Sequence, residues 1–274
     1  VAHLTLALMG PFEAALDGKP ITWFQSDKAR ALLAYLAVEA AIPHPRHALA
    51  GLLWPDVPDA HALHSLSQAL CNLRSILHDH TTPAPCFIVT PHTIQFNPQC
   101  NHWVDVAEFG RLVNWGSGRL VNWAAAAPTN HPITQSPNLA AVQQAVSLYR
   151  GPFLEDLALA DGVGFEEWAV VQRERLHRLL LETLIRLTTI HEEAGDVEEA
   201  LGCVWRQLEL DPWLEEAHLQ AMRLLASAGR RSEALAQYSL CRRLLASELG
   251  VEPALATTRL YEQIRDGAKT AGSP

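Results

Sequence analysis

The sequence predicts a mainly α fold with a small β component, arranged as two domains. Three observations carry this. The first 100 residues read as short alternating strands, then three helical segments, then a hairpin. Beyond residue 138 nearly every segment has helical periodicity. Within that second part a short pattern returns after 34 residues, the period of a helix-pair repeat.

In order along the chain, "HLTLALMG", "FEAALDG" and "KPITWF" are short strands of a small antiparallel sheet. Leu4, Leu6 and Leu8 alternate with Thr5 and Ala7, and Asp17-Gly18 is a hairpin turn signal. A helix follows from about Ser26 to Ala40, capped by Ser26 or Asp27, with Ala31, Leu32, Tyr35 and Leu36 as its buried stripe. "IPHP" breaks the chain through two prolines. A second helix spans about Arg46 to Leu53 and stops at Trp54-Pro55. The third, over 61–77, places Leu66, Ala69, Leu70, Leu73, Ile76 and Leu77 on one apolar face. "TTPAP" ends the helical run, and "CFIVTPHTIQFN" reads as two strands with Pro91-His92 at the bend. Sheet, three helices and hairpin in this order predict a winged helix-turn-helix over 1–100, with 86–97 as the wing. The leading sheet points to the OmpR-like version.

The domain over 101–266 is different. A helix begins near Asp105, and 116–138 reads as a loop or insertion. "GRLVNW" occurs there at 110–115 and again at 118–123, a tandem duplication lengthening a loop or an aromatic patch from Trp115 and Trp123. "GDVEEAL" at 195–201 and "GRRSEAL" at 229–235 align Gly195 with Gly229 and Ala200 with Ala234. The glycine turns the chain between helices and the alanine lets them approach closely. Asp211-Pro212 ends the first copy, and the second copy has no proline at that offset. This is an imperfect tetratricopeptide-like (TPR-like) array, all α, followed by a tail over 267–274. Trp168, Trp205 and Trp213 are expected in its core, and Arg230, Arg231, Arg242 and Arg243 form a solvated strip or a partner surface.

Composition narrows the function. The net charge is −9, with −2 from residues 1–100 and −7 from the remainder. That argues against a wholly basic nucleic-acid coat or a membrane-surface protein. Eight of the thirteen histidines fall in the nearly neutral first part, where protonation would strengthen DNA binding as pH falls toward 6. Five cysteines, never C-x-x-C, fit reduced thiols in a cytoplasmic protein. No apolar run approaches a membrane span, and "VAHLTLALMG" reads as a strand, not a signal peptide. No G-x-x-x-x-G-K loop, H-E-x-x-H or G-x-S-x-G elbow is present, so no enzyme is expected. The pairs His44/His47, His61/His64 and His78/His80 lack further ligands, so neither a metal nor another cofactor is expected.

Several stretches together resemble the Streptomyces antibiotic regulatory protein (SARP) family of transcriptional activators. They are "LMGPFEAALDGKPI", "KARALLAYLA", "LAGLLWPD", "SLSQALCNLRSIL", "WVDVAEFGRLV", "SLYRGPFLEDL" at 147–157, "FEEWAVVQRERL" at 165–176 and the long run over 215–253. The resemblance spans almost the whole chain. It implies an OmpR-like winged helix joined to a bacterial transcriptional activator domain (BTAD), acting in the cytoplasm on double-stranded DNA. It further implies RNA polymerase or another protein as partner of the helical domain, and a homodimer on direct repeats. In the family the third helix runs close to N-S-L-R-x-A-L-S-x-L-R. Here His64 stands in the Asn place, Ser67 in the first Arg place and Cys71 in a Ser place, and Arg74 keeps its arginine.

The expected reader is therefore the polar face of that helix: His64, Ser65, Ser67, Gln68, Asn72 and Arg74. Glutamine and asparagine suit adenine edges. Lys28 and Arg30 at the start of the first helix, Arg46 at the start of the second, and His92 in the wing are the expected phosphate contacts. The expected function is a sequence-specific DNA-binding transcriptional regulator, an activator, that reads the major groove with the helix over 61–77. The alternative is a protein-interaction module with a degenerate winged helix, the N-terminal part of a larger signalling regulator, and the weak charge of the third helix is its basis.

Overall fold

The structure is a computed structural model, and it describes residues 3–80, 83–117 and 139–267, with nothing said of the side chains of 115–117. The second GRLVNW copy, Trp123, most of the expected loop and most of the tail lie outside the described residues. Packing divides the chain into two compact units, Val1–Leu176 and His177–Pro274.

The first unit opens with β1 (Leu4–Ala7), β2 (Glu13–Leu16) and β3 (Lys19–Pro20). Asp17 and Gly18, both at positive φ, make the β2–β3 turn. The helices follow as α1 (Asp27–Val38), α2 (Arg46–Leu53) and α3 (Asp59–Ile76). Ser26 caps α1, its hydroxyl accepting from the Ala29 amide. α3 starts at Asp59, before the expected 61, because Pro58 needs no N–H and its carbonyl accepts the first helical amides, His61 and Ala62. Ala62, Leu66, Ala69, Leu70 and Leu73 form its buried face.

Two strand pairings were not read from the sequence. The "IPHP" break contains β4 (His44–Pro45), which pairs antiparallel with β6 (Thr93–Phe96). Pro45 is tolerated because β4 is the edge of the sheet order β4-β6-β5, with β5 at Phe87–Val89. Thus the wing is a three-stranded sheet. Likewise β7 (His102–Val104) runs parallel to β1, extending the leading sheet to the order β3-β2-β1-β7.

α4 (Asp105–Ser117) follows β7 directly and enters the stretch read as loop from 116. Its first residue, Asp105, is buried and accepts from the amides of Leu8 (2.7 Å), Met9 (2.8 Å) and Val106 (2.7 Å). Burial pushes the Asp105 carboxyl pKa up, and these three amides pull against it. After α5 (Leu139–Leu148) the chain returns to the sheet: Phe153 bridges Met9 and Gly10 and is fully buried. Gly10, at φ +121, is where that approach is tightest, since an added Cβ would lie 3.2 Å from the Arg150 Cβ. Trp168, on α6 (Val163–Ala194), donates to Glu39 at 2.9 Å and packs at tilted and edge-on angles among Tyr35, Phe153 and Phe165. By packing, then, residues up to 176 belong with the helices of the first 100. The 100/101 division is one of sequence pattern.

The second unit contains the end of α6, then α7 (Val197–Leu210), α8 (Glu215–Ser227), α9 (Arg231–Leu244), a π-helical turn over Leu245–Leu249, and α10 (Leu255–Asp266). Gly195 and Gly229 sit at φ +79 and +75 in the turns before α7 and α9. Ala200 and Ala234, aligned by the 34-residue offset, are both fully buried where helices meet. The copy lacking its proline runs on into the π turn until Gly250 at φ +69. Trp205 packs against the core, but Trp213 is a correction: it is 46% exposed, because it falls in the α7–α8 turn. The arginine strip is largely paired within the unit, Arg230 with Glu198 and Glu233, and Arg242 with Glu252.

Candidate nucleic-acid interface

The helical period puts His61, His64, Ser67, Gln68 and Cys71 on the exposed side of α3, opposite its apolar stripe. Gln68 Nε2 and His64 Nε2 lie 2.9 Å apart, one turn from each other. Ser67 Oγ donates to the Leu63 carbonyl at 2.8 Å and accepts from Arg46 Nη2 at 2.8 Å. Arg46 comes from the first residue of α2, so a guanidinium stands over the position where the family pattern has arginine. Among the described residues no carboxylate lies within ion-pair distance of Arg46.

The wing tip meets the same place. The Arg46 amide donates to the His92 carbonyl at 2.9 Å. Thr90 shapes that turn: its hydroxyl accepts from the His92 and Thr93 amides at 3.2 and 2.9 Å. His92 is exposed. The structure thus brings together Arg46, His64, Ser67, Gln68 and His92 on one side of the winged helix. Ser65 is half-buried on the flank of α3.

The other expected residues are engaged elsewhere. Lys28 pairs with Asp161 at 2.6 Å and lies over the Trp54 ring. The Lys28 ammonium holds the Asp161 carboxyl below its usual range. Arg30 pairs with Asp27 at 2.6 Å and Asp156 at 3.6 Å. Asn72 Oδ1 accepts from the Gln25 amide at 3.4 Å. Arg74 Nε donates to Asp79 Oδ2 at 3.2 Å, and the Asp79 side chain is fully buried. Asp79 also accepts the Cys86 amide, so Arg74 neutralises the carboxylate that anchors the start of the wing. Sequence reasoning missed Asp156 and Asp161 because their partners are distant in sequence, and Asp79 because its pairing with Arg74, five residues back, crosses the end of α3 with no regular helical spacing. The one signal was acidic residues following the helices.

His44 is buried with Nε2 2.9 Å from the Glu39 carbonyl, and among the described residues no group of three or more His, Cys, Asp or Glu side chains could hold a metal ion. No helix among the described residues is long and apolar enough to cross a membrane.

The sequence profile of the bacterial transcriptional activator domain matches residues 104–265. The chain is 26% identical to the transcriptional regulator RedD of Streptomyces coelicolor, covering 88% of this chain and 64% of RedD. It is 27% identical to the regulatory protein DnrI of Streptomyces peucetius, covering 95% of this chain and 92% of DnrI. It is 26% identical to the transcriptional regulatory protein EmbR of Mycobacterium tuberculosis, covering 96% of this chain and 63% of EmbR. The chain therefore spans under two thirds of RedD and EmbR. A solved structure of Mycobacterium tuberculosis EmbR, in complex with a low affinity phosphopeptide, shares the fold. Its TM-score is 0.68 at 23% identity, over 97% of this chain and 66% of that one.

Proposed function

Since the chain belongs to the bacterial transcriptional activator domain family, among the SARP-type regulators, we propose that it is a sequence-specific DNA-binding transcriptional regulator. In this reading residues 1–100 bind DNA in the cytoplasm, and residues 101–266 offer a surface to RNA polymerase, a second copy or another protein. α3 lies in the major groove and the β5–β6 hairpin is the wing.

The observation that carries the reading is the convergence of Arg46, Ser67, His64, Gln68 and His92 from α2, α3 and the wing tip. Gln68 and His64 present donors and acceptors for base edges, and Arg46 supplies charge where Ser67 has none. Lys28, Arg30 and Arg74 serve the fold. Few phosphate contacts remain, so binding is weak for a single chain or gains from cooperation between chains.

The test is selection from random duplex DNA with the purified chain at low and moderate salt. One enriched motif is expected, lost on changing His64, Ser67 and Gln68 to alanine. Arg46→Ala should weaken all sequences alike and reduce the salt slope by about 0.9. Arg74→Ala should leave the slope unchanged and cost about 3 kcal/mol of stability, because it strands a buried carboxylate. If no duplex is retained at roughly 50 mM salt, where phosphate contacts are strong, the reading fails. The pairing of Lys28, Arg30 and Arg74 would then favour the second one, a protein-interaction module.

A further inference from the structure

Two cysteines close the base of the wing. Cys86 immediately precedes β5, and Cys100 follows β6 by a short turn. The Asn97 amide donates to the Cys86 carbonyl at 2.8 Å, placing residue 97 opposite residue 86 across the hairpin. The Cys100 amide then donates to the Asn97 carbonyl at 3.1 Å, and this turn keeps Cys100 at the end of the hairpin where residues 86 and 97 pair. The two side chains lie close enough to shift each other's ionisation, and Cys100 Sγ lies 3.4 Å from His102 Nδ1. Both residues are buried, and both are thiols in the structure. Neither cysteine is among the residues of the candidate DNA-reading face.

We infer that Cys86 and Cys100 are a redox-responsive dithiol that closes into a disulfide across the base of the wing when a hydroperoxide oxidises it. The inference concerns the hairpin itself and does not depend on what the hairpin touches.

The roles of the two sulfurs differ. The neighbouring Cys100 thiol favours the Cys86 thiolate and lowers the Cys86 pKa, against burial and the nearby Asp79 carboxylate. The Cys86 sulfur, with burial, pushes the Cys100 pKa up. Cys86 is therefore the attacking thiolate and Cys100 the resolving thiol. The Cys86 sulfur attacks the peroxide O–O bond, an S–O bond forms, and the first water (or alcohol) leaves once protonated. Cys100 sulfur then attacks the Cys86 sulfenic sulfur. The S–S bond forms, the S–O bond breaks, and the Cys100 proton leaves with hydroxide as the second water. Two electrons pass from the two sulfurs to the peroxide. A thiol reductant reverses the change.

The cross-link ties the strand leaving the Asp79 anchor to the strand entering β7, so segment 87–99 loses freedom. The remaining cysteines supply internal comparisons. Cys71 is exposed on α3, whereas burial pushes the Cys203 pKa up and that of Cys241 up to about 11.

The experiment treats the reduced full chain with hydrogen peroxide, alkylates the remaining thiols, and digests it without reductant for mass spectrometry. The expected product is a Cys86–Cys100 linked peptide that reductant abolishes. Amide hydrogen exchange over β5 and β6 should slow about tenfold on oxidation and recover on reduction. Cys100→Ser should trap Cys86 as a sulfenic acid that a dimedone probe labels, and Cys71→Ser should leave the link intact. The mapping on the unaltered chain decides the matter even if a variant folds poorly. Cys86 and Cys100 both alkylated at a peroxide dose that oxidises Cys71 would overturn the inference. So would a link to any other cysteine, or a correct link that leaves hairpin exchange unchanged.

Discussion

The two compact units are held together by different means. In the first, carboxylates reach across long stretches of sequence to backbone and side-chain donors. Asp105 accepts the Leu8 and Met9 amides, Asp156 the Phe12 amide, and Glu39 the Trp168 indole. In the second, the fully buried side-chain bonds between helices are neutral and join neighbouring helices. Gln207 donates to Thr188, and Gln237 bonds His218, each joining neighbouring helices nineteen residues apart in sequence. Glycine turns and buried alanines set the helix spacing there. One unit stakes its stability on a few charged groups with distant partners, the other on a repeated packing rule.

The contrast is broken most directly at Asp105. Asp105→Ala leaves the buried Leu8 and Met9 amides without their acceptor, and should cost about 3 kcal/mol, since each orphaned buried donor costs about 1–3 kcal/mol. Urea unfolding measures this. Gln207→Ala removes one neutral bond, while Thr188 keeps its own bond to Leu184, and should cost about 1 kcal/mol. Equal losses at the two positions would mean that the units do not differ in this way.

The same contrast explains what was legible in the sequence. The α2 limits, the α3 apolar face, the wing strands and the 34-residue offset all arise from local periodicity and turn chemistry, which a sequence displays. β4 and β7 are short strands whose partners lie far along the chain, and nothing local in "IPHP" or "HWV" announces them. The candidate interface was half legible. Periodicity places His64, Ser67 and Gln68 outward on one face, and the position of Arg46 at a helix start is visible. That Arg46 leans onto Ser67, while Lys28 meets Asp161 and Arg30 meets Asp156 besides Asp27, depends on tertiary pairing, and Arg74 turns to Asp79 just past the end of α3. Residue types alone could not rank these cations.

A smaller effect sharpens the packing half of the comparison. Ala234 is fully buried, as is its repeat counterpart Ala200. Ala234→Leu inserts a side chain where two helices meet and should cost about 2 kcal/mol through overpacking. The loss should register as faster amide exchange in α8 and α9. An unchanged exchange pattern would show that the small residue is not what sets the helix spacing.

The smallest expected effect separates the two helix pairs of the second unit by pH. His218 is buried, with Nε2 2.8 Å from the Pro212 carbonyl and Nδ1 2.7 Å from Gln237 Nε2. A neutral ring satisfies both, donating from Nε2 and accepting at Nδ1. Burial lowers the His218 pKa from its ordinary 6.5, while the Pro212 carbonyl and the Glu215 carboxylate oppose that shift. A lowered folded pKa means that the unfolded chain takes up a proton first as pH falls below 6.5, so stability falls from there until the folded pKa is reached. The α8–α9 pair should therefore lose exchange protection on acidification through this window. The Gln207–Thr188 link between α6 and α7 contains no titrating group and should not respond in the same way. His218→Gln should flatten the pH dependence of α8–α9 relative to the parent chain. An equal slope in both proteins would place the acid sensitivity on other groups and leave the buried histidine as packing alone.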